Sequence, residues 1–423
     1  MTSPALPRLL IARLPFHYGW LILAVVCCAG FARQGPAVAT LSIFVEPMTR
    51  EFGWSRTALS GAVSLGGVLG AVSAPILGPV LDRHGARLVL CVAILVSGGC
   101  CMALSLTPSL LVFYLLFCIA RMTWAGPFDL GIYSAVANWF VARRALANSI
   151  ATLVQSLGIV TLPLIAQLAM AVPGQSWRDG WLAIGVTVLV VGFVPTWLLM
   201  VRRPEDVGLT PDRAPSVAAT DAAAAPPSPE PAFTRAEALR SSTFWLLGLY
   251  TVLVYPVQAG ASLHQAAHLI ERGVAPTTAA AIVSTFSLMS ALASLACAFK
   301  PRALPVQLPL ALCAGLFGAA MLLMIDVASA RDGYLAAALF GFGIGGILTL
   351  VPMAWADYFG RRSYGAIRGL ALSAQVLAQA AGPLLSGALR DITGDYVLSL
   401  ECLAALSFAG VLAALAARKP RAD

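Results

Sequence analysis

Three charged residues lie inside long apolar segments of the sequence, where an ionised side chain is costly. Arg33 lies in the segment 18–39, and Arg121 and Asp129 both lie in the segment 111–138. An ionised group at the centre of a bilayer costs about 2.5 to 3.5 kcal/mol on insertion scales. Guanidinium groups bind carboxylates bidentately, so these residues predict a site for a small organic anion. The alternative is an internal ion pair that joins two helices.

The acidic member of this set has two predicted roles. We expect Arg121, together with Arg33, to hold the carboxylate of the anion, while Asp129 either orients Arg121 or carries a coupled proton. His264 is a second candidate for proton coupling because imidazole titrates near neutral pH. A histidine near the end of a helix is also typical of a surface group.

Neutral polar residues recur at helical spacing in three other apolar segments. Such stripes can line a water-filled path through a membrane protein, although polar side chains also bond membrane helices to one another. The residues that we predict to contact a substrate are Gln155 in the segment 145–171, Tyr255, Gln258 and Gln265 in the segment 243–267, and Gln375 and Gln379 in the segment 364–389.

The composition places these segments in a lipid bilayer. The chain has 423 residues, of which 59% are hydrophobic and 11% are charged, which is too apolar for a soluble domain. The net charge of +8 comes largely from short loops, where it sets topology and requires no nucleic acid. The sequence has no nucleotide-binding, nucleophile or metal-binding motif, so we expect no enzyme, no cofactor and no metal.

At about 20 apolar residues per span, the sequence predicts an all-α membrane protein with twelve transmembrane helices. The predicted spans are 18–39, 57–77, 88–106, 111–138, 145–171, 180–201, 243–267, 276–299, 305–325, 333–356, 364–389 and 396–417. An even number of spans puts both termini on one side. Lysine and arginine, Arg368 among them, are concentrated in the termini and the loops of that side, which predicts that it is cytoplasmic.

The chain divides into two halves. We predict an N-terminal six-helix bundle over 1–201, a cytoplasmic linker over 202–242 rich in Ala, Pro and Ser, and a C-terminal bundle over 243–423. Residues 139–144 and residues 358–362 have similar sequences. Each segment ends in a pair of arginines and is followed by a predicted helix that contains a proline. This internal repeat indicates duplication.

A charged turn joins the second and third predicted spans. Residues 78–90 contain Gly78, Asp82, Arg83, Gly85 and Arg87, which resemble the loop signature of the major facilitator superfamily. Residues 16–20, 51–56 and 203–212 look like bacterial members of the monocarboxylate porter family. The resemblance implies two pseudo-symmetric six-helix bundles and secondary active transport by rocking of one bundle against the other. Arginine far outnumbers lysine, so we expect a bacterial inner membrane.

The resemblance also implies a set of gating residues. These are Asp82, Arg83, Arg87, Arg143 and Arg361. We predict that Asp82 caps the N-terminus of a helix in the C-terminal half, with the eleventh span as the first candidate.

The sequence therefore favours a monomeric transporter that moves a small, monocarboxylate-like organic anion by alternating access, with a coupled proton or by exchange. A proton-driven exporter of drugs or metabolites from the same superfamily is the first alternative. A sensor that binds solute without moving it is the second, but the linker over 202–242 is too short to form a folded signalling domain.

Overall fold

A computed structural model describes residues 5–212, 231–301 and 304–420, and the predicted linker therefore lies partly outside the described residues, at 213–230. The described secondary structure is helical. The α-helices are α1 (Ala5–Arg13), α2 (Gly19–Ala32), α3 (Val38–Phe52), α4 (Arg56–His84), α5 (Ala86–Leu104), α6 (Leu110–Ala125), α7 (Pro127–Trp139), α8 (Arg144–Met170), α9 (Trp177–Thr187), α10 (Val194–Leu199), α11 (Arg235–Arg240), α12 (Ser242–Glu271), α13 (Pro276–Ala298), α14 (Gln307–Ile325), α15 (Ala330–Phe359), α16 (Tyr364–Thr393) and α17 (Val397–Ala416). A π-helical segment, Val188–Phe193, joins α9 to α10.

The chain forms two compact units. The N-unit consists of Met1–Thr234 and Phe359–Leu370, and the C-unit consists of Arg235–Tyr358 and Ala371–Asp423. The N-unit thus includes the first residues of α16, which the sequence assigns to the C-terminal bundle. The boundaries of the two bundles remain a prediction.

Ten helices in the described part of the chain are long and apolar enough to cross a membrane, so this is a multi-pass membrane protein. Eleven of the twelve predicted spans correspond either to one long helix or to consecutive helices that together form a long helical stretch, as α6 with α7 and α9 with α10 do. The helix α16 has 30 residues but is not among the ten. Its glutamines, Gln375 and Gln379, and its three charged residues, Arg368, Arg390 and Asp391, lower its hydropathy. The first predicted span is shorter than expected, since α2 has only 14 residues.

Local signals in the sequence begin several of these helices. The Ser55 side chain accepts a hydrogen bond from the amide of Ala58 at 3.1 Å at the start of α4. Ser176 and Asp179 form a reciprocal capping box at the start of α9. In the core of the N-unit, Phe44 stacks on Trp181 with ring centroids 4.1 Å apart, which ties α3 to α9.

The described part of the C-unit has fewer buried charges than the N-unit. α14 packs against α17, and α12 packs against both α13 and α17. A Cβ atom on Gly382 would collide with the backbone of Pro256, so α12 and α16 approach closely at that point. Small residues of this kind allow membrane helices to pack without a gap.

Candidate functional site

A helix break positions Arg33. The sequence predicts that Gly35 and Pro36 interrupt the first span, because proline removes a backbone donor, and the structure confirms it: α2 ends at Ala32 and α3 begins at Val38. Arg33 lies at the end of α2 and is buried, with 8% of its surface exposed. The break therefore places a guanidinium group inside the N-unit.

A second break positions Asp129. The segment 111–138, predicted as one continuous helix, is divided at Gly126 into α6 and α7. Pro127 begins α7 and Asp129 lies in its first turn, where the unpaired amides of a helix N-terminus favour a negative charge.

Asp129 bridges two arginines. Its Oδ2 atom lies 3.4 Å from the guanidinium nitrogen NH2 of Arg33, and its Oδ1 atom lies 3.4 Å from NH2 of Arg368. Arg368 is only 1% exposed. Asp129 is the only buried acidic residue in the described part of the chain. One carboxylate therefore pairs with two buried arginines.

Arg33 makes further hydrogen bonds that fix its orientation. It donates from Nε to the carbonyl of Trp124 at 3.0 Å and from NH1 to Oε1 of Gln155 at 2.9 Å. Gln155 in turn donates to the hydroxyl of Tyr133 at 3.4 Å. The structure thus brings Gln155, a predicted substrate contact, to the predicted arginine.

Arg121 has no such carboxylate. Its guanidinium carbon lies 3.8 Å from the centroid of the Trp124 ring, and that of Arg33 lies 4.5 Å from the same ring. Its hydrogen bond within the described residues goes from NH1 to the carbonyl of Pro36, at a long 3.4 Å. The ring position is fixed because Trp124 Nε1 donates to Gln34 at 3.2 Å.

These four residues, Arg33, Arg121, Asp129 and Arg368, form what we call the charged cluster. The cluster contains three guanidinium groups and one carboxylate, so it carries a net positive charge within the N-unit. The expectation that Asp129 orients Arg121 was wrong, because Asp129 pairs with Arg33 and Arg368. Sequence reasoning counted Arg368 with the charged residues of a loop and did not predict its pairing with Asp129, although its position in a polar stripe with Gln375 and Gln379 was a signal.

Asp82 caps the beginning of α16, as predicted. Its Oδ1 atom accepts a hydrogen bond from the amide of Gly365 and its Oδ2 atom accepts one from the amide of Ala366, both at 2.8 Å. Gly78 allows this approach, since a Cβ atom there would collide with the carbonyl of Gly365. The carboxylate therefore satisfies two of the amides that a helix start leaves without partners.

The predicted gating arginines make contacts of several kinds. Arg87 donates to the carbonyl of Trp197 at 2.7 Å. The guanidinium of Arg143 lies 5.7 Å from the Trp20 ring, and Arg83 is exposed.

Arg361 links α7 to the short 3-10 helix Pro204–Val207 that follows α10. It donates to the carbonyl of Asn138 at 3.2 Å and pairs with Glu205 at 2.6 Å. Burial alone would raise the pKa of the Glu205 carboxyl, but the hydrogen bond from Arg361 and neighbouring positive charge lower that pKa overall.

The polar residues predicted in the C-unit separate into two groups. Gln379 donates to Gln258 at 2.9 Å, so these two glutamines form a pair between α12 and α16. Gln265 lines a small cavity with His264, and Tyr255 and Gln375 are buried. The C-unit thus offers neutral polar groups where the N-unit offers charge.

Comparison with known proteins agrees with this architecture. The sequence profile of the Major Facilitator Superfamily matches residues 22–383. The chain is similar to human monocarboxylate transporter 11, with 26% identity over 406 residues that cover 93% of this chain and 81% of the relative.

Solved structures share the fold at low sequence identity. The chain superimposes on the human organic anion transporter MFSD10 with a TM-score of 0.68 and 17% identity, covering 97% of this chain and all of that one. It superimposes on the proton:xylose symporter XylE with a TM-score of 0.70 and 14% identity, covering 94% of each chain. The profile spans most of the sequence and the twelve-helix fold agrees with it, so this protein is a member of the Major Facilitator Superfamily of transporters.

Proposed function

We propose that this transporter carries a small organic anion and that Arg121 binds its carboxylate. The observation that carries the proposal is the unequal charge of the cluster: Asp129 pairs with Arg33 and Arg368, and Arg121 forms no ion pair within the described residues. An uncompensated cation in a protein interior is costly. A bound anion would remove that cost, so the site favours negatively charged solutes.

The contacts of Arg121 leave it able to exchange partners. Its hydrogen bond to the Pro36 carbonyl is long, at 3.4 Å, and its guanidinium also stacks on the face of the Trp124 ring. A carboxylate could replace the carbonyl and accept two parallel hydrogen bonds from the guanidinium. The stacking on Trp124 would meanwhile hold the guanidinium plane in place.

The rigid part of the cluster supports this exchange. Arg33 is fixed by Gln155, the Trp124 carbonyl and Asp129, so it contributes positive potential with little movement. The human relative is named as a monocarboxylate transporter and one structural neighbour as an organic anion transporter. Both names support the anion class for this chain.

Transport by alternating access requires a contact that is made and broken in each cycle. We propose the Asp82 cap on Gly365 and Ala366 for this role, with both chain termini in the cytoplasm of a bacterium. The energy would come from the gradient of the anion itself, from an exchanged anion or from a coupled proton.

Uptake into proteoliposomes tests the proposal. A panel of radiolabelled weak acids, namely acetate, L-lactate, pyruvate and benzoate, would be offered to the full chain and to Arg121→Ala and Arg121→Lys. We expect at least one acid to be taken up, a loss of about 30-fold or more in Arg121→Ala and a partial recovery in Arg121→Lys.

The matched control is Arg50→Ala, which removes an arginine of the same unit whose side chain is 79% exposed; its uptake should equal that of the unmodified chain. Unchanged uptake of every acid in Arg121→Ala would overturn the assignment. Uptake of cationic dyes by a chain that moves no acid would favour a drug exporter.

A further inference from the structure

The C-unit contains a cavity that the anion site leaves unexplained. It lies among α12, α14, α16 and α17 and has a free volume of about 10 Å³, which is the room that one water molecule needs. Its polar lining consists of His264, Gln265, His268, Ser386 and Tyr396. We call it the histidine cavity.

Gln265 brings polar atoms to a cavity whose lining also includes Met321, Met324, Leu400 and Leu403. The side chain is 4% exposed, and neither its Oε1 nor its Nε2 atom has a hydrogen-bond partner among the described residues. A buried amide without partners is costly. One water molecule in the cavity would accept from Nε2 and donate to Oε1, so the unmet hydrogen bonds point to an occupant that can do both.

His264 is bonded in a way that suits both of its protonation states. Its Nε2 atom lies 3.3 Å from the carbonyl of Pro383 and its Nδ1 atom lies 3.3 Å from the hydroxyl of Tyr396. A carbonyl only accepts, so Nε2 carries a proton. The Tyr396 hydroxyl either donates to a neutral Nδ1 or, after rotation, accepts from a protonated one. Gaining a proton therefore breaks no hydrogen bond of the ring.

His268 lies one helical turn from His264 and has a different hydrogen-bond partner. Its Nε2 atom donates to the carbonyl of Met324 at 2.7 Å, and the ring is 2% exposed. This short bond anchors α12 to α14. The two histidines share the cavity, but the hydroxyl partner on Nδ1 belongs to His264.

The charged groups around the cavity largely compensate one another. Arg390 pairs with Glu271 at 2.9 Å and with Asp391 at 3.8 Å, and its guanidinium lies 6.0 Å from the Tyr396 ring. The other charged residues on or next to the surrounding helices are Arg272, Asp326, Arg368, Asp395 and the exposed Glu401, while α13 and α14 carry no charge over their described residues.

We propose that His264, with Tyr396 and a water molecule held by Gln265, is the binding site of the proton that is coupled to anion transport. This inference rests on the proposed function and adds the coupled ion and its location. A proton arriving through the cavity water would bind Nδ1 of His264 while the Tyr396 hydroxyl rotates. The charge of the carried proton would then be held in the C-unit and that of the anion in the N-unit.

A titration of the histidines tests the site without any substrate. The chain has only four histidines, so ¹⁵N-histidine NMR of the purified full chain can assign each signal by a single substitution. We expect His264 to pass from neutral to doubly protonated between about pH 5 and pH 8, His268 to keep one tautomer, and Tyr396→Phe to shift the His264 titration. A His264 signal that does not change over this range would overturn the proposal.

Transport then tests the coupling. With the fastest acid of the panel, a pH gradient of one unit should drive about tenfold accumulation, because one pH unit corresponds to about 1.4 kcal/mol. His264→Gln should abolish accumulation but keep exchange of the acid against itself, whereas the control His84→Gln, at an exposed position of the N-unit, should accumulate normally.

The two proposals fail in different ways. Undiminished accumulation in His264→Gln would overturn the coupling role while leaving Arg121 as the anion site. Loss of both accumulation and exchange, with no change in the elution of the folded protein, would also count against a proton site, since it would show that His264 is needed for substrate movement itself. If no acid is transported, the proposed function fails and the NMR titration still decides whether a proton binds.

Discussion

The two units of this transporter contain similar numbers of membrane-spanning helices but differ in what they bury. The N-unit buries Arg33, Arg368 and Asp129 of the charged cluster, whereas the described part of the C-unit buries no arginine, lysine or carboxylate and relies on glutamines, histidines and hydroxyls. A buried charge needs a partner, and a buried neutral group needs only a hydrogen bond. The two units therefore differ in the side chains that they bury, which are charged in the N-unit and neutral in the described part of the C-unit.

The largest expected effect comes from Asp129. Asp129→Asn leaves Arg33 and Arg368 without their shared carboxylate, so the free energy of unfolding should fall by about 3 to 5 kcal/mol. Unfolding of the purified protein in detergent would measure it. Asp391→Asn, at a side chain that is 79% exposed, is the control and should change little. Equal effects of the two substitutions would remove the contrast between charged and neutral units.

A smaller effect is expected from the glutamine pair of the C-unit. Gln258→Leu leaves the Nε2 atom of Gln379 without its partner, at a cost of about 1 to 3 kcal/mol. The double substitution of both residues by Leu should restore most of that stability, because no polar group remains unmet. If the double variant keeps its stability but loses anion uptake, the glutamines contact the solute and the C-unit has a direct part in recognition.

Substitution of Asp82 should weaken the start of α16, which its carboxylate caps. Asp82→Asn should weaken the bonds to the amides of Gly365 and Ala366 by about 0.5 to 2 kcal/mol, which corresponds to about 2- to 30-fold faster hydrogen exchange there. Mass spectrometry of peptides that start at α16 would detect it. Asp332→Asn, at the start of α15 where Asp332 accepts from Ser329, is the matched control and should speed exchange only locally. Unchanged exchange at Gly365 would refute the cap.

The smallest effect concerns Glu205 and Arg361. The pKa of Glu205 is lowered in the folded protein, so the pair adds stability above the usual titration range of glutamate and loses it as the pH falls through the lowered value. The Glu205 side chain is 46% exposed, so we expect only about 0.5 kcal/mol. Glu205→Gln should lower stability at pH 7 and have no effect near pH 3; an equal effect at both would exclude this electrostatic origin.

Much of the fold follows from the sequence because apolar length and loop charge dictate it. Gly35 and Pro36 indicate a helix break, which the structure contains between α2 and α3. The glycines around Asp82 indicate a tight turn that can approach another helix closely. The second break was missed because the apolar run continues through Gly126, although Pro127 and Asp129 have the composition of a helix start.

The candidate site was only partly predictable. The free-energy cost of an ionised group in the bilayer identifies Arg33, Arg121 and Asp129 as candidates. Which guanidinium pairs with the carboxylate depends on packing between segments that are far apart in the sequence. Arg368 lies close to a loop and was counted with it, although burial makes it a partner of Asp129. The hydrogen bond of Gln258 depends on α16, and the cavity beside Gln265 depends on α14, α16 and α17; local spacing in the sequence reveals neither.

The most direct test of the central claim compares a transported acid with its uncharged amide as competing ligands of the purified protein. If Arg121 recognises negative charge, the unmodified chain should bind the acid about 30-fold or more tightly than the amide. In Arg121→Ala the two affinities should become nearly equal, with Arg121→Lys between these limits. A preference for the acid that persists undiminished in Arg121→Ala would contradict the account, because the charge of the anion would then be recognised elsewhere.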